Sequence, residues 1–419
     1  MTPARRYDAI VIGSGANGGI AAKELAERGL ETLVLEAGPA LDEALFHQKP
    51  RMKSIGSLSR VIGAFTGQPI QARAFLYSPD KRFLFVNDRQ NPYTYPRDNF
   101  YLWIRGRNVG GRFLSWGRVA VRMSDYDFKG ASHDGIGEDW PICYNDLVPY
   151  YDRVEEFLGI LGTADGIANL PDGMYVASAG LSRLELAFKQ KVESVWPERK
   201  VIPWRYVVVD ATPADGKSGT RTTSPLAAAA ATGRMELRTN AIVERIDVDP
   251  RTGNASGVTY IDADSKLRNS VAAKRRRRLR VNDRIDPPAP EFRVREAPGR
   301  YWQLVGHAGA LLHGPASGDG IRNRPRKRRL RARGWHITRK QSRWHHECGG
   351  ARMGSDPATS VLNGYNQCWD AANVFVTDGS CFVSNGSCGP TLTTMALTAR
   401  ACEYIAKEYQ GSRELRRAV

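Results

Sequence analysis

The stretch Tyr7–Pro39, YDAIVIGSGANGGIAAKELAERGLETLVLEAGP, constrains the fold of this 419-residue chain more than any other. Ala9, Ile10, Val11 and Ile12 form a short apolar run suited to a buried parallel strand. Gly13, Gly15 and Gly18 follow in G-x-G-x-x-G spacing, and a helix carrying Ile20, Ala21 and Leu25 ends at Gly29. Thr32–Leu35 make a second strand, closed by Glu36. The glycines serve a tight turn, close approach of backbone to a pyrophosphate, and close helix-to-strand packing. Phosphates would rest on the helix N-terminus, where unpaired N–H groups and the dipole favour anions. Glu36 stands where a carboxylate can accept hydrogen bonds from a ribose diol. Strand, turn, helix, strand and acid in one register predict a dinucleotide site.

Length allows two domains, or one discontinuous domain with an insert. No run of 18 uncharged apolar residues occurs, so no membrane span is expected. The first strand begins almost at the N-terminus, which predicts no signal peptide and a cytoplasmic location. Cys143, Cys348, Cys368, Cys381, Cys388 and Cys402 show no zinc-type spacing, so no metal site is expected and the thiols read as reduced.

The net charge of +17 is local. Residues 274–340 hold 20 of the 61 Lys/Arg against 5 of the 44 Asp/Glu, leaving 41 and 39 elsewhere. KRRRRLR at Lys274–Arg280 and RNRPRKRRLRAR at Arg322–Arg333 lack interleaved aromatics and a binding module, so no nucleic-acid partner is expected. Upstream, Met235–Ile246 and Ala255–Asp262 read as strands with a turn at Pro250–Gly253. The next expected element is another buried strand. Instead Val271-Ala272-Ala273-Lys274 runs into four arginines, which do not belong in a buried strand. Repeated CGT arginine codons read one base later spell GTC, valine. A solvated basic loop would explain the charge but not its placement; a frameshift near Lys274, with a deletion or second shift before Trp344, would also account for the lost apolar periodicity.

Elsewhere, Trp140–Gly159 has Pro141 and Asn145 as start signals for an amphipathic helix through Tyr150, Val154 and Leu158, with Glu155 and Glu156 on its solvated face. Leu181–Val195 and a segment beginning near Pro225 read as helices. Val374–Asp378 reads as a short strand ending in an acid, and Pro390–Tyr409 as a helix with Pro at its first turn.

Four pieces together resemble the glucose–methanol–choline (GMC) oxidoreductases, flavoenzymes that oxidise alcohols and sugars. They are Tyr7–Pro39, Arg105–Phe128 with Gly110-Gly111, His346–Gly354 (HECGGARMG), and Val376–Tyr404. The likeness is greatest to the bacterial branch whose C-terminal helix opens with an N-P-T-L-T-like signature, and it covers about 1–273 and 344–412. It implies an α/β fold, a doubly wound FAD-binding (Rossmann-like) domain with a discontinuous, incomplete α+β substrate domain. The FAD-binding parts would be 1–160, 225–273 and 344–412, with a substrate or cap segment at 161–224. Residues 274–343 would stand in place of the substrate domain.

By family pattern Gly13, Gly15 and Gly18 would cradle the FAD pyrophosphate and Glu36 the adenosine ribose. Val243 would contact the adenine through its backbone, and Gly110 and Gly111 would lie beside the flavin. Asp378, Gly379, Pro390 and Thr391 would meet the cofactor from the other side. Ser115 stands where covalently flavinylated relatives carry histidine, so non-covalent FAD is implied. His346 fits the catalytic histidine that takes the hydroxyl proton while hydride passes to flavin N5. The family places a second His or Asn where this chain has Gly389. The partners implied are a small alcohol or sugar and an acceptor, oxygen or an electron carrier. Two alternatives stay open: a catalytically impaired remnant of such an enzyme, and an NAD-dependent dehydrogenase.

Overall fold

Alternation along two short strands sets the layering. A computed structural model of the protein describes residues 7–42, 45, 56–74, 77–94, 102–178, 180–207, 224–273 and 346–417. Strands β1 (Ala9–Ile12), β2 (Thr32–Leu35) and, far along the chain, β6 (Met235–Arg238) form a parallel sheet in the order β1-β2-β6. Val11 and Val34 turn to one face, among Ala22, Leu25 and Ala26 of helix α1 (Ala16–Glu27). Leu33 and Leu35 turn to the other, among Val243, Val258 and Tyr260. Burial on both faces is why β2 reads as an unbroken apolar run.

Between these strands lie α2 (Gly56–Phe65), two short helices α3 (Asp125–Phe128) and α4 (Gly130–Asp134), and α5 (Val148–Leu158). A small mixed sheet follows, of β3 (Ile160–Leu161), β4 (Tyr175–Ala177) and β5 (Tyr206–Val207), with α6 (Arg183–Val195) between β4 and β5. Helix α7 (Pro225–Ala231) precedes β6. Strands β7 (Ala241–Val248), β8 (Ala255–Asp262) and β9 (Arg268–Ala272) then form an antiparallel sheet, and α8 (Thr391–Arg417) closes the order. The α/β class holds. One face of the parallel sheet is covered by α1, α7 and α8, and the other by the antiparallel sheet rather than by helices.

Several expectations are refined. Met235–Ile246 is two strands in two sheets, broken at Asn240, whose φ of 56° is a conformation that asparagine tolerates. Helix α5 begins at Val148, with Pro149 in its first turn, after a separate 3-10 turn over Tyr144–Asp146. Helices α6 and α7 begin where their capping residues Ser182 and Ser224 direct. Val374–Asp378 is not a sheet strand. Phe375 bridges only Gln367, and the Val376 N–H donates to Asn366 O at 3.0 Å, so the segment pairs with its own preceding loop.

Glu155 was expected in solvent and is buried. Arg122 reaches it from 33 residues away, Nε to Oε1 at 2.9 Å and Nη2 to Oε2 at 2.5 Å. The Met174 N–H also donates to it, at 2.7 Å. Helical periodicity places Glu155 beside the buried Tyr151 and Leu158, and only the distant arginine makes that burial tolerable.

After β9 the chain reaches the start of β1 through a parallel bridge between Ala273 and Tyr7. The element expected next in the sheet, and all of 274–343, lie outside the described residues.

Candidate functional site

The strand-to-helix turn at the end of β1 is built by glycines for separable reasons. Gly13 has φ 86°, a left-handed conformation that side chains disfavour. A Cβ on Gly18 would lie 1.9 Å from Gly13 O, so α1 touches the turn only because that carbon is missing. Gly15 is the N-cap of α1 and offers no side-chain acceptor to the first-turn N–H groups. Such an uncapped N-terminus is suited to an anion.

Glu36 sits fully buried at the end of β2. Its Oε2 accepts from the Ser14 N–H at 3.0 Å and the Ser14 hydroxyl at 2.6 Å, and its Oε1 from the Gly38 N–H at 2.8 Å. Gly110 comes to the same place from 96 residues away, its N–H donating to Ser14 Oγ at 3.0 Å. Gly110 has φ 85° and Gly111 φ 48°, and together they open a 3-10 turn, Gly111–Ser115. Burial lowers the pKa of the neighbouring Arg107, opposed by the charge of Glu36.

The 3-10 turn leads to the third piece. Arg112 Nη1 pairs with Glu347 Oε2 at 3.1 Å, next in sequence to His346. Glu347 O would lie 2.6 Å from a Cβ on Gly379, so the His346 segment packs directly on the fourth piece. Ala351 N–H donates to Ser380 O at 2.8 Å and Met353 N–H to Cys381 O at 3.0 Å. Asp378 Oδ1 accepts from the Ser380 N–H at 3.0 Å and from the Ser380 hydroxyl, capping the turn Gly379–Cys381. Pro390 precedes α8 and Thr391 is its first residue, while Leu392, Met395, Ala396 and Ala399 are fully buried.

The four motif pieces are therefore linked: the Gly13–Gly18 turn to Glu36 and Gly110, Arg112 to Glu347, and Glu347 to Gly379. Val243 stands apart from these bonds, with its side chain in the core between the two sheets. His346 is exposed, and around Gly389 there is open space where a side chain would be. Ser115 donates to Arg112 O at 3.3 Å. Two residues were missed in the sequence. Ser14 occupies a variable position of the fingerprint, and nothing in the sequence couples Arg112 to Glu347, 235 residues on.

The donor set fits a dinucleotide. Two buried acceptor atoms, Asn17 Oδ1 in the first turn of α1 and Asn108 Oδ1 before the Gly110 turn, have no hydrogen-bond partner among the described residues. A ligand carrying hydroxyl or ring N–H groups would satisfy them. Among the described residues no cluster of His, Cys, Asp and Glu could hold a metal ion, and no helix is long and apolar enough to cross a membrane.

These features place the chain among α/β proteins built on a glycine-rich strand–turn–helix unit, with distant segments folded back onto it. More narrowly, its sequence is similar to the GMC oxidoreductases. The family model, described as GMC oxidoreductase, matches residues 274–398, and so runs across the basic segment that the motif likeness had left out. The chain is 29% identical over 297 residues to 2-methyl-1,2-propanediol dehydrogenase of Mycolicibacterium austroafricanum, covering 65% of this chain and 48% of that protein. It is 30% identical over 156 residues to the fructose dehydrogenase large subunit of Gluconobacter japonicus, covering 37% and 27%. The chain thus matches about half the length of the first and about a quarter of the second. Pyridoxine 4-oxidase from Mesorbium loti shares the fold, with a TM-score of 0.55 at 14% identity over 95% of this chain and 98% of that one.

Proposed function

We propose that the protein is an FAD-dependent oxidoreductase acting on CH–OH groups of a small alcohol or sugar, with FAD held non-covalently. The observation that supports this reading is the chain of contacts that links four distant segments, from the Gly13–Gly18 turn and Glu36 to Gly110, from Arg112 to Glu347, and from Glu347 to Gly379. The matched relatives are by name dehydrogenases of a diol and a sugar, which supports the substrate class.

In this reading the N–H groups at the start of α1, with Gly13, Gly15 and Gly18, hold the pyrophosphate. Glu36 orients the adenosine ribose, and Val243 meets the adenine through its backbone. Gly110 and Gly111 lie against the flavin, with Asp378, Gly379, Pro390 and Thr391 on the side of α8. When bound, FAD supplies the hydride acceptor, later reoxidised by oxygen or an electron carrier. His346 is the base that takes the hydroxyl proton, and Arg112 holds its segment through Glu347. Ser115 offers no imidazole for a covalent link.

A second reading, an enzyme that binds FAD but turns over poorly, is favoured by one observation. His346 is exposed, and Gly389 provides no second hydrogen-bonding side chain. Anaerobic mixing with alcohols and sugars separates the two. Substrate-dependent bleaching of the flavin, slowed at least about a hundredfold by His346→Ala, is expected of the enzyme. Equal bleaching by His346→Ala removes His346 from the chemistry, and no bleaching with any substrate supports the impaired form.

A further inference from the structure

We propose that Ser14 is a positioning residue that makes the ribose end and the flavin end of the cofactor site one unit; this rests on the FAD reading above. One hydroxyl has one proton and two lone pairs. Glu36 Oε2 can only accept and the Gly110 N–H can only donate, so the order is fixed. Gly110 donates to Ser14 Oγ at 3.0 Å, and Ser14 Oγ donates to Glu36 at 2.6 Å. The Ser14 N–H adds a second bond to the same carboxylate oxygen at 3.0 Å. All three residues are buried, so no water replaces a missing partner at low cost. Chained bonds of this kind polarise and strengthen one another.

The turn at the far end has little freedom to adjust. Gly110 is left-handed, and a Cβ there would meet Leu114 Cγ at 3.0 Å. Removing the Ser14 hydroxyl leaves the Gly110 amide without an acceptor and the buried carboxylate short of one donor. The loss then falls on both ends. A ligand that spans both ends depends on Ser14 more than one that occupies the ribose end alone.

FAD and ADP are the probes, since ADP carries the ribose and phosphates without the flavin. Both are titrated into full-length apoprotein of the wild type, Ser14→Ala and Ser14→Thr, FAD by quenching of flavin fluorescence and ADP by calorimetry. Ser14→Ala is expected to weaken FAD about tenfold or more and ADP no more than about threefold, because ADP feels only the loss at Glu36 whereas FAD feels the losses at Glu36 and at Gly110 together. Ser14→Thr, which keeps the hydroxyl, is expected to restore FAD binding to within about threefold of the wild type. Equal losses for FAD and ADP, or no loss for FAD, overturn the role of Ser14. A wild type that binds ADP but not FAD overturns the FAD reading and this inference together.

Discussion

Two helices that both begin at clear local signals have opposite fates. In α8, Leu392, Met395, Ala396, Leu397 and Ala399 are fully buried against α1 and α5. In α6 no residue is buried, and Leu184 and Phe188 are 84% and 61% exposed. The surroundings of α6 repeat this, with Met174, Val176, Trp196 and Trp204 half-exposed or more. Local signals made both helices, since α6 has a complete Ser182–Glu185 capping box and α8 has Pro390 before its first turn. Capping and periodicity decide that a helix forms; they do not supply the surface that covers it. The half built on the β1–α1 turn brings its own partners from distant parts of the chain, whereas nothing among the described residues covers α6.

This contrast predicts where substitutions will hurt. Trp140 packs edge-on against Phe128 and Phe382, and its indole N–H donates to Ser384 at 3.0 Å. Trp140→Ala is expected to lower stability by about 3–5 kcal/mol in urea unfolding; a loss below 1 kcal/mol would place the core elsewhere. Glu155→Ala strands the buried Arg122 guanidinium and is expected to cost about 3 kcal/mol, because Asp152 remains as a partial partner.

A smaller effect comes from the α1–α5–α8 contact. Lys407, with Arg153, holds the Glu403 carboxylate below its ordinary value of 4.5, pushed down to about 2. The folded pKa is depressed, so this contribution is complete above about pH 4.5 and is lost as pH falls toward 2. Glu403→Gln should therefore flatten the acid limb of a stability-against-pH curve and cost at most about 1 kcal/mol at pH 7. Phe188→Ser on α6 should change stability by no more than about 0.5 kcal/mol. A loss above 2 kcal/mol would show that α6 is covered in solution and would erase the contrast.

What was legible in the sequence follows the same division. The turn at Gly13 and the presence of helices α6, α7 and α8 are local and legible directly. The misreadings were long-range. Glu155 reads as solvated because its partner lies 33 residues away, and Ser14 carries no signal of its own because Gly110 lies 96 residues on. Val376 looked like a strand because its apolar run is genuine, but Asn366 takes its N–H first. The Ala273–Tyr7 bridge shows that the chain does return to β1 where the basic segment begins, and the family match continues across that segment.

The linked turn at Gly13, Glu36 and Gly110 is proposed to hold a flavin dinucleotide without a covalent bond. The most direct test is to purify the full chain, precipitate it with acid, and measure flavin in the supernatant against protein in the pellet. FAD is expected in the supernatant from the wild type, and little or none carried by Gly18→Val, whose side chain collides with Gly13 O. Protein purified without flavin that takes up none on addition of FAD, or flavin that stays with the pellet, would contradict it.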